Sequence, residues 1–281
     1  MAVFIAIDDP LDERLAVFRF NERALSNRVQ RRDDQGDGLF AAEGDLVVER
    51  ALGAGCVAVT ALVDAANPPE VANRLGDDVV VYAAGERVRA AATRLGAPSP
   101  IIAIFRRPPR TTVEALATST QRLVLAEAVD NPVNIGSIIR NAAGLGWHGL
   151  ITDATSADPL ARRSLRVSMG HAVVFPHARS TDVAASVRSL VAAGFVVAAL
   201  TPAPDAVDLA DVVAGGLPER IVLCLGSERS GLSPEVQNAA SLRLRIPMAP
   251  GIDSLNVAAA SAIACWALRP ATLATSTTEC L

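Results

Sequence analysis

Residues 131–142 read NPVNIGSIIRNA and follow the apolar run LVLAEAV (Leu123–Val129) and Asp130. The run predicts a buried strand. Pro132 and Gly136 predict the turn after it, with a helical pattern opening at Asn134. In an open α/β sheet, ligands bind beyond the carboxyl ends of strands, which makes this turn a candidate site. It carries an amide (Asn134), a glycine suited to close backbone approach (Gly136) and a cation (Arg140) on the same helical face as that glycine. Taken alone, the stretch also fits a helix N-terminus with one surface arginine.

Two later segments repeat the arrangement. Residues 221–232, IVLCLGSERSGL, predict a strand and a Gly-rich turn holding Glu228. Residues 246–258, IPMAPGIDSLNVA, predict a strand end, a Pro/Gly turn, then Ser254 and Asn256 opening an apolar helix. Between and around them the pattern alternates. Strands are predicted at Leu123–Val129, Gly149–Thr152, Ala172–Phe175, Phe195–Leu200, Ile221–Leu225 and Leu242–Ile246. Helices are predicted at Ile135–Leu145, Pro159–Val167, Val183–Ala193, Pro234–Ala240 and Asn256–Leu268. Such alternation predicts an α/β fold with a mostly parallel sheet covered on both faces.

The three motifs N-x-G-x-x-x-R-N-A, L-G-x-E-x-x-G-L and I-P-M…S-L-N-V occur in that order across roughly residues 121–269. Together they resemble the SpoU (TrmH-like) family of RNA ribose 2′-O-methyltransferases, in the SPOUT superfamily. The resemblance implies a trefoil-knotted C-terminal domain, S-adenosylmethionine as cofactor, rRNA or tRNA as substrate, and a homodimer whose pocket borrows residues from its partner. It implies a cofactor site at Leu200, Thr201, Leu225, Gly226, Ser227, Gly231, Ile246, Met248, Ser254 and Leu255. The glycines would let backbone approach a flat adenine, and Ile246, Met248 and Leu255 would supply apolar walls. Catalytic roles would fall to Arg140, Asn134, Glu228, Ser254 and Asn256. Pro250 stands where the family usually has glycine, and Gly251 follows it, which implies a turn shifted by one residue.

Composition sets bounds. The chain's 281 residues suffice for two domains or one large one, and with 51% hydrophobic and 20% charged content they suit a globular protein with a sizeable core. Its net charge of −4 lacks the basic excess usual in nucleic-acid-binding domains. Any RNA contact would therefore rest on local charge. All 26 basic residues are arginine, which suits bidentate phosphate contact. Arg28, Arg31 and Arg32, and Arg162, Arg163 and Arg166, form the candidate RNA-binding clusters; a solvated surface is the competing reading. Cys56, Cys224, Cys265 and Cys280 lack metal-ligand spacing. Cys224 and Cys265 are expected to be buried free thiols, and no metal site is predicted. No apolar stretch is long enough to span a bilayer, and the N-terminus does not resemble a signal peptide, so a cytoplasmic location is expected.

Residues 1–108 predict a smaller α/β unit. Its strands lie near Leu39, at Cys56–Val63, Val79–Ala84 and Pro100–Phe105. A helix after the first strand would place Leu46, Val47, Ala51 and Leu52 on its apolar side. This order is similar to the ribosomal-protein-like RNA-binding domain ahead of many SpoU catalytic domains. Residues 109–120 are predicted to be a linker, 121–270 the methyltransferase domain and 271–281 a tail. Two other functions remain open at this level. A catalytically silent RNA-binding or assembly factor could use the same scaffold. A dinucleotide-dependent oxidoreductase would want G-x-G-x-x-G after its first strand, and this chain lacks it there.

Overall fold

In the computed structural model, the described residues are 2–25, 38–94, 96–252 and 254–270. Arg28, Arg31, Arg32 and Cys280 lie outside them. No helix among the described residues is long and apolar enough to cross a membrane. The chain separates into two units. One comprises Met1–Pro109 with Pro159–Val174, the other Arg110–Asp158 with Phe175–Leu281.

The first unit holds strands β1 (Val3–Ile7), β2 (Leu39–Glu43), β3 (Ala58–Asp64), β4 (Val80–Ala84) and β5 (Ile101–Arg106). Their order is β1-β4-β3-β5-β2. β1 and β3 pair with β4 in parallel, while β5 runs antiparallel to β3 and β2. β5 lies inside the sheet, and Ile101–Phe105 are all buried. β1 was not anticipated. It is an edge strand with Val3 and Phe4 exposed, so it lacks the alternation that marks a half-buried strand. In the helix Asp45–Gly53 the buried residues are Val47, Val48 and Ala51, and Leu46 is exposed. The apolar stripe is thus rotated from its predicted position. Residues 70–74 form a 3-10 turn.

Pro159–Val174 packs with this unit although its sequence lies between strands of the other. It holds the helix Arg162–Val167 and a short helical turn, His171–Val174. A strand was expected at Ala172–Phe175. A four-residue apolar run does not distinguish strand from helix, and left-handed backbone at Met169 (φ 54°) and Gly170 (φ 82°) starts a new turn. The strand lies further on, at His177–Arg179. Glu43 is buried and needs partners. Arg162 Nε meets its Oε2 at 3.0 Å, and Ser99 Oγ donates to Oε1 at 2.9 Å. Arg162 also donates to the Thr93 carbonyl, so this guanidinium is turned inward. Arg163 and Arg166 are exposed.

The second unit has strands β6 (Arg122–Ala126), β7 (Gly149–Thr152), β8 (His177–Arg179), β9 (Val196–Leu200), β10 (Val207–Asp208), β11 (Ile221–Leu225) and β12 (Leu242–Arg245). Among the described residues they form one sheet, ordered β10-β12-β9-β11-β6-β7-β8, with every pair parallel. The chain steps outward through β7 and β8, returns to β9, then lays β11 between β9 and β6. β6 and β11 therefore flank the switch point where ligands bind. Both are buried along their whole length, as central parallel strands with two covered faces are.

The helix predicted from Ile135 starts earlier, over Pro132–Gly144. Proline costs nothing at the first helical position, and Asn131 Oδ1 caps the helix by accepting from Val133 N at 2.9 Å. Asn134 and Gly136 thus lie within the helix and not in a turn. The helix Val257–Ala267 packs beside it. Asn141 Nδ2 donates to the Ala258 carbonyl and Ser261 Oγ, both at 3.0 Å, and Trp147 Nε1 to the Cys265 carbonyl at 3.1 Å. Cys224 and Cys265 are free and buried, and burial pushes both thiols up.

The Glu43 pair yields a test. Arg162→Ala strands a buried carboxylate and should cost about 3 kcal/mol in urea unfolding. Arg163→Ala, one residue on but exposed, should cost less than about 0.5 kcal/mol.

Candidate active site

A cleft of about 620 Å³ opens at the carboxyl ends of β9, β11 and β12. Leu200 and Thr201 reach it from the end of β9. Leu225, Gly226, Ser227 and Gly231 come from the end of β11 and its loop. Ile246 and Met248 follow β12, and Ser254 and Leu255 precede the last helix. The structure thus gathers every residue that the resemblance assigned to the cofactor. Pro202, Arg229 and Gln237 also line the cleft, and no motif had marked them.

Gly226 has a more specific reason than ligand approach. A Cβ there would lie 2.1 Å from the carbonyl carbon of Gly231 and 2.2 Å from Leu232 N. The loop folds back on its own backbone, and no side chain fits. Gly231, at φ 67°, closes the same turn, with its N–H donating to the Ser227 carbonyl at 2.9 Å. At the other loop, Ala249–Ile252 form a β-turn closed by Ile252 N donating to the Ala249 carbonyl at 3.2 Å. Pro250 takes its second position and Gly251, at φ 83°, its third. The glycine has moved by one place, as the sequence implied.

Three of the five candidate catalytic residues converge. Asn134 Nδ2 donates to Glu228 Oε1 at 2.9 Å, and Asn256 Nδ2 donates to the same oxygen at 2.6 Å. Asn256 Nδ2 also reaches Asn134 Oδ1 at 3.3 Å. Asn134 is buried, whereas Glu228 and Asn256 are exposed at the cleft. Asn256 caps the last helix as well, its Oδ1 accepting from Ala258 N at 2.9 Å. Ser254 lines the cleft and is not the cap. Arg140 is exposed on the Pro132–Gly144 helix and does not line the cleft. It sits six residues, or roughly 9 Å of helix rise, beyond Asn134.

The approach to Asn134 is held rigidly. Ala128 adopts a left-handed φ of 55°, unusual for a residue with a side chain. Its N–H donates to Asp153 Oδ1 at 3.0 Å, and Ser156 N donates to the same oxygen at 2.9 Å. Val129 N donates to Ser156 Oγ at 3.0 Å. Burial alone would raise the Asp153 carboxyl; hydrogen bonds from Ser156, Thr155 and Ala128 outweigh it and hold the group below its usual value.

Parallel α/β topology, a cleft at the carboxyl ends of the strands and an amide–carboxylate cluster at its lip define the class, an α/β protein with a small-molecule site beyond its strand ends. Residues 121–266 match the model of the SpoU rRNA Methylase family. A Mycobacterium bovis protein described as an uncharacterized tRNA/rRNA methyltransferase is 36% identical over 259 residues, covering 91% of this chain and 88% of the relative. The chain belongs to the SpoU rRNA methylase family. Among solved structures, an AdoMet-bound rRNA methyltransferase from Sinorhizobium meliloti aligns with a TM-score of 0.77 at 26% identity, covering 94% of this chain and 97% of that one. The SpoU methyltransferase AviRb from Streptomyces viridochromogenes, in complex with AdoMet, gives 0.72 at 26% identity, covering 92% and 97%. A dinucleotide-dependent oxidoreductase is set aside.

Two outcomes test this geometry. Gly226→Ala should abolish ligand uptake by the cleft in calorimetry while the far-UV circular dichroism stays close to wild type. Asp153 stabilises the fold in full above its unfolded value of about 3.8, and that contribution is lost as pH falls through the lower folded value. Asp153→Asn should therefore cost about 1–2 kcal/mol in urea unfolding at pH 7, with the gap closing as the carboxyl of the folded protein becomes protonated in acid.

Proposed function

We propose that this chain transfers a methyl group from S-adenosylmethionine to a ribose 2′-hydroxyl of ribosomal or transfer RNA, acting as a cytoplasmic homodimer. The observation that carries the reading is Glu228, held by Asn134 and Asn256 at the lip of the cleft. The cleft suits the cofactor. Its volume is that of a small-molecule site, with apolar walls from Leu200, Ile246, Met248 and Leu255 and backbone polar groups from the Gly226–Gly231 loop. When bound, the cofactor supplies an electrophilic methyl group on a sulfonium.

The chain's own residues do the rest. Asn134 and Asn256 orient Glu228 through one oxygen. Glu228 Oε2, which takes no bond among the described residues, is left to accept from a ribose hydroxyl. Arg140 stays protonated and is no general base. Its task is to stabilise the developing alkoxide or to orient an RNA phosphate that takes the proton. Holding acceptor and donor in line supplies about 7–11 kcal/mol of the barrier reduction.

Dimerisation explains the position of Arg140. Val133 and Arg140 share the exposed face of their helix, and Ala259, Ile263 and Trp266 form an exposed stripe on the packed helix Val257–Ala267. Together they form an apolar surface suited to a two-fold contact, through which Arg140 serves the partner's cleft. The trefoil knot belongs to the same proposal, supported by insertion of β11 between β9 and β6. We assign residues 1–108 to RNA docking and 121–270 to catalysis. Arg163 and Arg166 are the exposed members of their cluster, and Arg162 serves the fold. A silent assembly factor would have no need of the assembled Asn134, Glu228 and Asn256.

Labelled S-adenosylmethionine incubated with total RNA, followed by nucleoside mass mapping, tests the chemistry. A ribose 2′-O-methyl product is expected, and label on a base or in no RNA would overturn the proposal. Arg140→Ala and Glu228→Gln should each be inactive alone. Subunits mixed and allowed to exchange should recover about a quarter of wild-type activity, because half the dimers keep one intact site. No recovery, in mixtures shown to contain mixed dimers, would remove the shared site.

A further inference from the structure

We propose that Glu127, which does not line the cleft, is a positioning residue that sets the loop Gly226–Leu232 in its cofactor-accepting shape by gripping Ser233. The inference rests on the reading of the cleft as the S-adenosylmethionine site. Glu127 follows the last residue of β6, and its N–H donates to the Leu225 carbonyl of β11 at 2.9 Å. The half-buried carboxylate turns to the far end of the loop. Oε2 accepts from Ser233 N at 2.8 Å and Oε1 from Ser233 Oγ at 2.8 Å. Ser233 follows directly on Leu232 and caps the helix Pro234–Ala239, its Oγ accepting from Val236 N at 3.3 Å.

Apart from the bonds that Glu228 takes from Asn134 and Asn256, the loop's other bonds are local. Ser230 N donates to Ser227 Oγ at 3.1 Å and Gly231 N to the Ser227 carbonyl at 2.9 Å. Gln237 Nε2 donates to the Leu232 carbonyl at 2.9 Å. These bonds close the turn without fixing it to the sheet. The entry of the loop is fixed by β11 itself, and Glu127 ties its exit to β6. With both ends pinned, Gly226 and Gly231 meet in the back-to-back contact that excludes a side chain at Gly226. Glu228 rides on the same loop, so its meeting with Asn134 and Asn256 depends on the grip. A loop held in its bound shape loses less freedom when ligand arrives, which raises affinity without any new contact.

The geometry separates this role from attraction between the carboxylate and the cationic sulfonium. A glutamine at position 127 could still accept from Ser233 N through its oxygen. Its amide could donate to Ser233 Oγ, because a hydroxyl both donates and accepts. Positioning would survive that change, and charge attraction would not.

The test is calorimetric, on the full chain, with S-adenosylmethionine and the uncharged product S-adenosylhomocysteine as probes. Glu127→Ala should weaken both by about tenfold or more. Glu127→Gln should stay within about threefold of wild type for both. Ser233→Ala should weaken both, and adding it to Glu127→Ala should cost little more, since the two residues act through one contact. RNA affinity should be unchanged throughout. Should Glu127→Ala fail to fold, the Glu127→Gln and Ser233→Ala pair still decides. Equal binding by Ser233→Ala and wild type, or loss confined to the cationic ligand in Glu127→Gln, would overturn the proposal. A folded wild type that binds neither ligand would overturn the cleft assignment itself, and this inference with it.

Discussion

The parallel pairing of β6 with β11 is the constraint on which the site depends. The two strands are far apart in sequence, yet their register sets Ala126 level with Leu225, so both polypeptides leave the sheet at the same height. From β6 the chain passes through Glu127, Ala128 and Asn131 into the helix that carries Asn134. From β11 it passes into the loop that carries Glu228. A one-residue slip would carry the Asn134–Glu228 contact out of reach and would turn alternate side chains of two fully buried strands to the wrong face.

Around that pairing the molecule uses polar groups to hold backbone. Asp153 and Ser156, beyond the end of β7, fix the left-handed turn at Ala128 before the helix that carries Asn134. Glu127 fixes the exit of the Glu228 loop. Asn256 caps one helix with its oxygen and holds Glu228 with its nitrogen. An amide has both a donor and an acceptor, so Asn256 serves as cap and as site residue at once. Buried charge follows the same economy. Glu43 lies in the core of the first unit and is met by Arg162, so one arginine of a cluster suited to phosphate is spent on the fold.

Much of this was legible in the linear chain. Runs of four or five residues, closed by Asp153 and by Gly226, gave Gly149–Thr152 and Ile221–Leu225 to the residue, because a central parallel strand needs continuous burial and its end needs a turn. Errors fell where a signal was short or where burial was one-sided. The edge strand β1, the three-residue β8 and the two-residue β10 offer too little periodicity to detect. Residues 172–174 belong to a helical turn because left-handed backbone at Met169 and Gly170 redirects the chain, and nothing in the apolar run announces that.

The sequence by itself, through its resemblance to the family, marked many of the residues that border the cleft, and most of them stand at or just beyond strand ends, which share one side of a parallel sheet. It also determined that the chain could afford glycine at Gly226, Gly231 and Gly251. Only the tertiary structure decided what these residues do to each other. Asn134, Glu228 and Asn256 meet across separations of 94 and 28 positions because β11 was laid beside β6. Gly226 is glycine because its own loop returns onto it, and Arg140 stands outside the cleft because helical rise carries it there. Burial and turn propensity are local properties that a sequence displays directly. Contact between distant side chains is a product of strand order, and strand order exists only once the sheet has formed.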